Sequence, residues 1–276
     1  MEPQNLKNST YIGSMGRRSL FDLEIPSNWN REMLIFVHGF MGFKDWGAWH
    51  LVQDYFVSRG YGFAKFNLTH NGGTAENGID FPDEEAFARN TYSIEIQDVL
   101  LFQAHLTSLV SEPYKTTLIG HSRGGGAVLL SAQYRMPDRL VMWASISDIE
   151  MRFQKNEALA QWEKEGVRTV RNGRTMQDLP QFFELYLDYE KNKTTLDIQK
   201  VCKQLTIPTC VVHGSADDSV SIEEGKNLAL WLNTPLNTIE KANHVFGTKH
   251  PWNASVLSKS MTRTCEITQS FIEKNR

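Results

Sequence analysis

Short apolar runs alternate with amphipathic segments along most of this chain. Met33–Val37 is a continuous apolar run bounded by polar residues, which is typical of a buried strand. Tyr92–Val110 has apolar residues at helical spacing and ends before a proline. Strands that alternate with helices predict parallel βαβ units, and therefore an α/β fold with a mostly parallel central sheet flanked by helices. Further strands are predicted at 61–66, 116–119, 140–146, 208–212 and 236–240, and further helices at 47–60, 124–134 and 255–273.

One segment, residues 149–205, interrupts this alternation. Two predicted helices, Asn156–Lys164 and Leu179–Tyr189, flank a stretch in which Asn172-Gly173 is a strong hairpin-turn signal. The segment has about 55 residues, near the lower limit of what folds alone. We therefore interpret it as a lid inserted into a single domain of residues 1–276. Its aromatic residues are expected to form mostly the core of the lid.

The overall composition limits the class of protein. Of 276 residues, 41% are hydrophobic and 22% are charged, which allows a sizeable core and argues against global disorder. The net charge is −3 and no basic run is present, so nucleic acid is not expected as a partner. No apolar run reaches the roughly 18–20 residues of a membrane span, and the N-terminus has no apolar signal-peptide core.

The cysteines and the absence of two ligand-binding motifs limit the class of protein further. The chain has three cysteines without metal-ligand spacing, and this odd number suits a reducing compartment, so we expect a cytoplasmic protein. Neither the zinc pattern H-E-x-x-H nor the phosphate pattern G-x-x-x-x-G-K-[ST] occurs. We expect no metal and no organic cofactor. The oligomeric state is left open.

Polar side chains stand directly after several of the predicted strands. In open α/β sheets, ligands meet the carboxyl ends of the strands, so these residues are candidates for a functional site. A serine, two candidate acids and a histidine fall at this one edge. In chain order they are Ser122, Asp148, Asp217 and His244.

The sequence around Ser122 is the most specific of these signals. Gly120-His121-Ser122-Arg123-Gly124 matches G-x-S-x-G between a predicted strand and a predicted helix, which is the context of a nucleophile elbow. The helix that follows points backbone N–H groups at the reaction centre, and the N–H of Arg123 is one candidate donor to a developing oxyanion. The second is the N–H of Phe40, in the loop after the first predicted strand, with Met41 as the alternative.

Four motifs together resemble the α/β-hydrolases. They are the oxyanion loop His38-Gly39-Phe40, the elbow Gly120–Gly124, the acid motif G-x-x-D-x-x-V at Gly214–Val220 and the late histidine in Asn243-His244-Val245-Phe246. The resemblance extends from about Met33 to the C-terminus, with the motifs in the family's order. The chain is most similar to dienelactone-hydrolase and prolyl-oligopeptidase-like esterases, and the placement of its lid is similar to that of cinnamoyl (feruloyl) esterases.

The resemblance implies a serine hydrolase that cleaves a small-molecule carboxylic ester through an acyl-enzyme. Ser122 is the predicted nucleophile, His244 is the base that takes its proton, and Asp217 is the acid that orients His244. A peptidase or amidase shares every motif and stays open as an alternative. A non-catalytic binding module of the same fold is the third possibility.

Several neighbouring residues compete for these roles. Asp218 and Asp148 are the alternatives to Asp217, and His250 is the alternative to His244, although each fits its motif less well. His70 and Asn71 follow the predicted strand 61–66 and, with Met41, are candidate substrate contacts. Three further histidines at strand ends are expected to shape the loops through hydrogen bonds, namely His38, His121 and His213.

Overall fold

The computed structural model describes residues 4–276. Within these residues, ten strands form one eight-stranded sheet and one two-stranded sheet, and nine α-helices accompany them. The strands are β1 (Gln4–Ile12), β2 (Arg18–Ile25), β3 (Glu32–Val37), β4 (Gly62–Phe66), β5 (Lys115–His121), β6 (Arg139–Trp143), β7 (Val167–Arg171), β8 (Asp178–Phe182), β9 (Thr209–Gly214) and β10 (Leu236–Ile239). The helices are α1 (Trp49–Val57), α2 (Glu84–Ala88), α3 (Tyr92–Leu109), α4 (Arg123–Ser131), α5 (Asn156–Glu165), α6 (Glu184–Asn192), α7 (Ile198–Gln204), α8 (Ile222–Trp231) and α9 (Lys259–Lys274).

The large sheet is mostly parallel. Its strand order is β1-β2-β4-β3-β5-β6-β9-β10, and only β2 runs in the opposite direction, antiparallel to its neighbours β1 and β4. Parallel strands need crossover connections, and the helices between them cover both faces of the sheet. The predicted fold class, a mostly parallel sheet flanked by helices, is confirmed.

The central strand β3 shows why the parallel strands are continuous apolar runs. Its alternate side chains enter two separate cores, Met33, Ile35 and Val37 on one face and Leu34 and Phe36 on the other. The first core is closed by helices α3 and α4, and the second by α1 and α9. Because both faces are buried, the strand has no polar face, which is the pattern expected of a parallel sheet.

The predicted and observed elements differ in several places. The strand β1 was not predicted, because it is an edge strand whose residues are largely polar. The strand β2 was also missed, although Phe21, Leu23 and Ile25 alternate along it and enter the core. Helix α8 was also missed. The predicted helix 179–189 is wrong in its first part, because residues 178–182 form β8 and pair with β7 in the register Val170↔Leu179. Only α6 is helical there.

Residues 149–205, here called the cap segment, contain the β7–β8 hairpin between helices α5 and α6. The hairpin loop spans 172–177 and is closed by hydrogen bonds of Asn172 with Gln177 and Met176, so Asn172-Gly173 begins a longer loop rather than forming a two-residue turn. Trp162 and Phe183 pack edge to face at 5.3 Å between ring centroids in the core of the segment. Its lid function and its limits stay predictions. Within residues 4–276 no helix has the length and apolar character to cross a membrane.

Candidate active site

Ser122 lies in the tight turn between β5 and α4. Its backbone has φ +58° and ψ −123°, a conformation that non-glycine residues rarely adopt. The two motif glycines have no space for a side chain: a Cβ on Gly120 would lie 2.4 Å from the carbonyl oxygen of Gly124, and one on Gly124 would lie 2.4 Å from that of His38. The local sequence is therefore the one that this strained turn requires.

The loop after β3 lies directly against this turn. A Cβ on Gly39 would be 2.8 Å from the Cβ of Ser122 and 3.3 Å from its Oγ, so only a glycine allows the approach. The backbone N–H of Arg123 is the first of helix α4 and has no acceptor within that helix. Within residues 4–276, the N–H of Phe40 also finds no acceptor. The two predicted oxyanion donors thus stand beside Ser122 with their N–H groups unused.

Asp217 and His244 are in direct contact. The Nδ1 of His244 donates to Oδ2 of Asp217 at 2.9 Å, and Oδ1 of Asp217 accepts the backbone N–H groups of Ser219 and Val220, each at 2.9 Å. The Asp217 side chain is fully buried. Burial alone would raise its pKa, but hydrogen bonds from His213 and His244 outweigh burial and hold the pKa of Asp217 well below its usual range. Asp217 is therefore a permanent carboxylate.

The contact with Asp217 defines the tautomer of His244. Since the acceptor is a carboxylate oxygen, Nδ1 carries the proton and Nε2 is left as an acceptor. His244 and Ser122 line the same two cavities. Within residues 4–276, no hydrogen bond joins Ser122 Oγ to His244. Catalytic hydrogen bonds are often long in unliganded sites and tighten when substrate binds.

No family model and no curated protein matches the sequence. The structure of Est1E from Butyrivibrio proteoclasticus with ferulic acid bound is similar with a TM-score of 0.71 and 17% identity, over 97% of this chain and 99% of that chain. The α/β-hydrolase domain-containing protein 10 from mouse is similar with a TM-score of 0.68 and 15% identity, over 100% of both chains. The chain has the α/β-hydrolase fold.

The same fold occurs in a puromycin-hydrolyzing peptidase from Mycobacterium tuberculosis. It is similar with a TM-score of 0.64 and 19% identity, and this chain covers 39% of that longer protein while 99% of this chain is matched. The resemblance inferred from the four motifs is thus confirmed as a resemblance in fold. Esterases and peptidases both appear among the similar structures, so the fold does not decide between them.

In this α/β-hydrolase fold, the competing acids and histidine have other partners. Asp148 accepts the N–H of Glu150 at 2.7 Å, and the exposed Asp218 accepts the hydroxyl of Ser219 at 3.3 Å. His250 accepts the backbone N–H of Gly47 at 2.8 Å through its Nδ1. These contacts shape turns, and none of them involves His244.

The histidines predicted to shape loops make such contacts. The Nδ1 of His38 donates to the carbonyl of Gly39 at 2.9 Å, while its Nε2 accepts the N–H of Leu68 at 3.1 Å. The Nε2 of His121 donates to the carbonyl of His244 at 3.0 Å. Burial lowers the pKa of His38 to about 4 and that of His121, which also faces His244, to about 3. Both rings are neutral at pH 7 and hold loops in place.

The candidate substrate contacts separate into two groups. Met41 lines a cavity of about 230 Å³ on one side of Ser122. His70 and Asn71 line neither of the two cavities that reach Ser122. His70 lies against Thr69 Oγ1 at 2.8 Å, and Asn71 donates to the carbonyl of Gly42 at 3.1 Å. Asn71 therefore supports the loop after β3, and the contact of His70 and Asn71 with substrate stays a prediction.

A second, larger cavity also reaches Ser122. It measures about 470 Å³, and the cap segment supplies much of its wall. Arg152, Arg168 and Gln181 line it, and sequence reasoning did not select any of them. One signal could have identified Arg168. Arg168 and Val170 alternate with exposed residues along β7, so they share the inward face of that strand. Within residues 4–276, no group of three His, Cys, Asp or Glu side chains is arranged to hold a metal ion.

Proposed function

We propose that this protein is a serine hydrolase that cleaves carboxylic esters through an acyl-enzyme. The observation that carries the proposal is the 2.9 Å hydrogen bond from His244 Nδ1 to the buried Asp217, beside the strained Ser122. A carboxylate that fixes the tautomer of a histidine leaves Nε2 ready to accept a proton. This arrangement is the minimum that activates a serine hydroxyl.

The proposed reaction has two halves. Ser122 Oγ attacks the carbonyl carbon while His244 Nε2 takes its proton, and the N–H groups of Phe40 and Arg123 bind the negative oxygen. The imidazolium then gives the proton to the leaving alkoxide, and the alcohol departs. Water attacks the acyl-enzyme with His244 again as the base, which releases the carboxylic acid and restores Ser122. Each oxyanion donor contributes about 2.7–4 kcal/mol to lowering the barrier.

The cap segment is proposed to act as the substrate lid. Its residues Arg152, Phe153, Arg168 and Val170 line the larger cavity, so changes in this segment alter the cavity without touching the triad. The lid would therefore select the substrate, while the β-sheet loops carry the chemistry. We also propose a cytoplasmic location, which is supported by the three cysteines being buried and unpaired.

An amidase or peptidase is the second candidate, supported by the similarity to the puromycin-hydrolyzing peptidase. Both activities would use the same serine, histidine and aspartate. Rates with p-nitrophenyl esters and with aminoacyl anilides separate the two, because an esterase turns over only the first class at a useful rate. Faster cleavage of anilides than of esters would replace the ester proposal with the peptidase.

Labelling with a fluorophosphonate probe tests the proposed nucleophile. We expect the protein to be labelled and Ser122→Ala to be unlabelled, with a loss of esterase activity of roughly 10³- to 10⁶-fold. Ser108→Ala is the matched control, because Ser108 lies exposed on α3. Labelling of Ser122→Ala at the parent's rate would show that another residue is the nucleophile.

A further inference from the structure

Three arginines face one cavity. Arg123, Arg152 and Arg168 line the larger cavity together with Ser122 and His244. Within the described part of the chain, no aspartate or glutamate lines it. Its volume of about 470 Å³ is in the range of small-molecule sites. The cavity reaches the proposed nucleophile, and its wall combines these three guanidinium groups with apolar side chains such as Phe153, Val170 and Leu185.

The three arginines differ in their partners. Arg152 forms an ion pair with Glu224, and the Nε of Arg123 donates to Glu95 at 2.8 Å. Arg168 has no carboxylate partner among residues 4–276: its Nε and Nη2 both donate to the uncharged Oε1 of Gln181. The cavity wall therefore has three guanidinium groups and two carboxylates behind them, which leaves one cation without a counter-charge.

Arg123 is also incompletely paired. Its side chain is 91% buried, and its Nη2 is a buried donor without an acceptor. Glu95 binds only the Nε end of this guanidinium, and its other oxygen accepts the amide of Asn90 at 2.7 Å. A buried donor without an acceptor is costly, and the cost is higher when the group is charged.

Arg168 is held in place rather than free to leave the cavity. Strand β7 directs Arg168 inward, where its guanidinium carbon lies 3.9 Å from the ring centroid of Trp162. The Trp162 indole is itself fixed by a 3.0 Å hydrogen bond to the backbone of Gln181. Burial lowers the pKa of Arg168, and the nearby Arg123 lowers it further, as expected for two cations facing one cavity.

We propose that the larger cavity binds a carboxylate group of the substrate, with Arg168 as its main cationic partner and Arg123 as the second. The inference rests on the proposed ester hydrolysis and specifies its substrate class: esters that carry a free carboxylate. A carboxylate offers two acceptor oxygens, which match the planar donors of a guanidinium. It also supplies the counter-charge that Arg168 lacks.

Two pairs of esters test this inference. Methyl hydrogen glutarate against dimethyl glutarate places the carboxylate on the acyl side, and acetoxyacetic acid against its methyl ester places it on the alcohol side. We expect the charged member of at least one pair to have a kcat/KM about 10-fold or more above that of its neutral partner, since a hydrogen bond to a charged group has about this effect. A preference for the neutral ester in both pairs would overturn the proposal.

Arginine variants assign the preference to this cavity. In Arg168→Gln we expect the ratio of kcat/KM for charged over neutral ester to fall by about 10- to 100-fold. Arg171→Gln is the matched control on the same strand, because Arg171 is exposed and pairs with Asp178 outside the cavity. The ratio should be unchanged in this control. An unchanged ratio in a folded Arg168→Gln would contradict the proposal.

Binding measurements test the proposed carboxylate site of the larger cavity, here called the anion site, independently of hydrolysis. Glutarate should bind the unmodified protein in calorimetry, and Arg168→Gln should bind it at least about 10-fold more weakly. If none of the four esters is hydrolysed and the fluorophosphonate does not label Ser122, the proposed function fails, but glutarate binding that depends on Arg168 still supports the anion site. Absence of glutarate binding, together with normal hydrolysis of neutral esters, overturns the anion site alone.

Discussion

His213 and His244 contact the same carboxylate oxygen, Oδ2 of Asp217, at 3.2 and 2.9 Å. The Nε2 of His213 also lies 2.9 Å from the carbonyl of Val220, so both of its neighbours are acceptors and Nε2 must carry the proton. The ring of His213 is fully buried. His213 was expected to shape a loop, and it does so through Val220, but it also contacts the proposed catalytic acid at the same oxygen as His244.

Removing the donor of His213 should weaken this support. We expect His213→Phe to lower kcat on ester substrates by about 10-fold with little change in KM, because the buried carboxylate of Asp217 loses its contact with the N–H of His213. His213→Gln keeps an N–H donor and should recover most of the loss. Steady-state kinetics on the same p-nitrophenyl ester measure both. If the two variants behaved alike, the hydrogen bond from His213 would have no part in the rate.

The role of Asp217 as the catalytic acid can be tested by comparison with its neighbour Asp218. Asp217→Asn should lower kcat by about 10⁴-fold, since an amide in this position favours the wrong tautomer of His244. Asp218→Asn is the matched control, because Asp218 is exposed and contacts Ser219 rather than His244. We expect it to stay within a few-fold of the parent. If Asp218→Asn lost more kcat than Asp217→Asn, the catalytic acid would be Asp218 instead.

The elbow glycines should be intolerant of even one methyl group. In Gly124→Ala the new Cβ would lie 2.4 and 2.5 Å from two backbone carbonyl oxygens, those of His38 and Val37, which are parts of a central strand and its loop. Overpacking against backbone should cost about 3 kcal/mol of unfolding free energy, at the upper end of the usual range. Gly173→Ala meets nothing within 4 Å and should be close to neutral. Urea unfolding of both variants checks the difference.

The buried histidines should make stability depend on pH. Burial lowers the pKa of His38 to about 4, whereas an exposed histidine titrates near 6.5. Between these values the unfolded chain binds a proton that the folded chain does not, so the free energy of unfolding falls as the pH falls through this window. The contribution of one such histidine approaches about 1.4 kcal/mol per pH unit.

Replacing His38 isolates this contribution. His38→Asn should reduce the slope of unfolding free energy against pH between pH 6 and 4.5, by about 1 kcal/mol per pH unit. His50→Asn, at an exposed position on α1, serves as the control and should keep the parent's slope. Equal slopes in the parent and in His38→Asn would mean that His38 is not held neutral by burial.

Much of the site could be predicted from local sequence because its geometry is local. The turn around Ser122 needs glycines on both sides, and this requirement is visible as G-x-S-x-G after an apolar run. Asp217 and His244 were found because each follows a short strand, and parallel strands end at the same edge of a sheet. Their hydrogen bond, 27 residues apart in sequence, follows from that common edge.

Contacts that depend on packing between distant segments were not predicted. The edge strand β1 is largely polar and has no strong apolar pattern, so its pairing with β2 cannot be recognised from its own sequence. The strand β8 is a strand because β7 pairs with it, although its own sequence runs into a helical pattern. In both cases the deciding interaction lies outside the segment.

The sequence by itself determined the six parallel strands of the sheet, the turn around Ser122 and the order of serine, acid and histidine, because periodicity and steric limits on the backbone act within a few residues. Only the tertiary structure decided what surrounds them. Arg123 and Glu95 are 28 residues apart, and Arg152 and Glu224 are 72 apart, so no local pattern could show that these pairs balance while Arg168 remains without a carboxylate. Charge balance in a cavity is a property of the packed chain, since it depends on which side chains the fold brings within a few ångströms of one another.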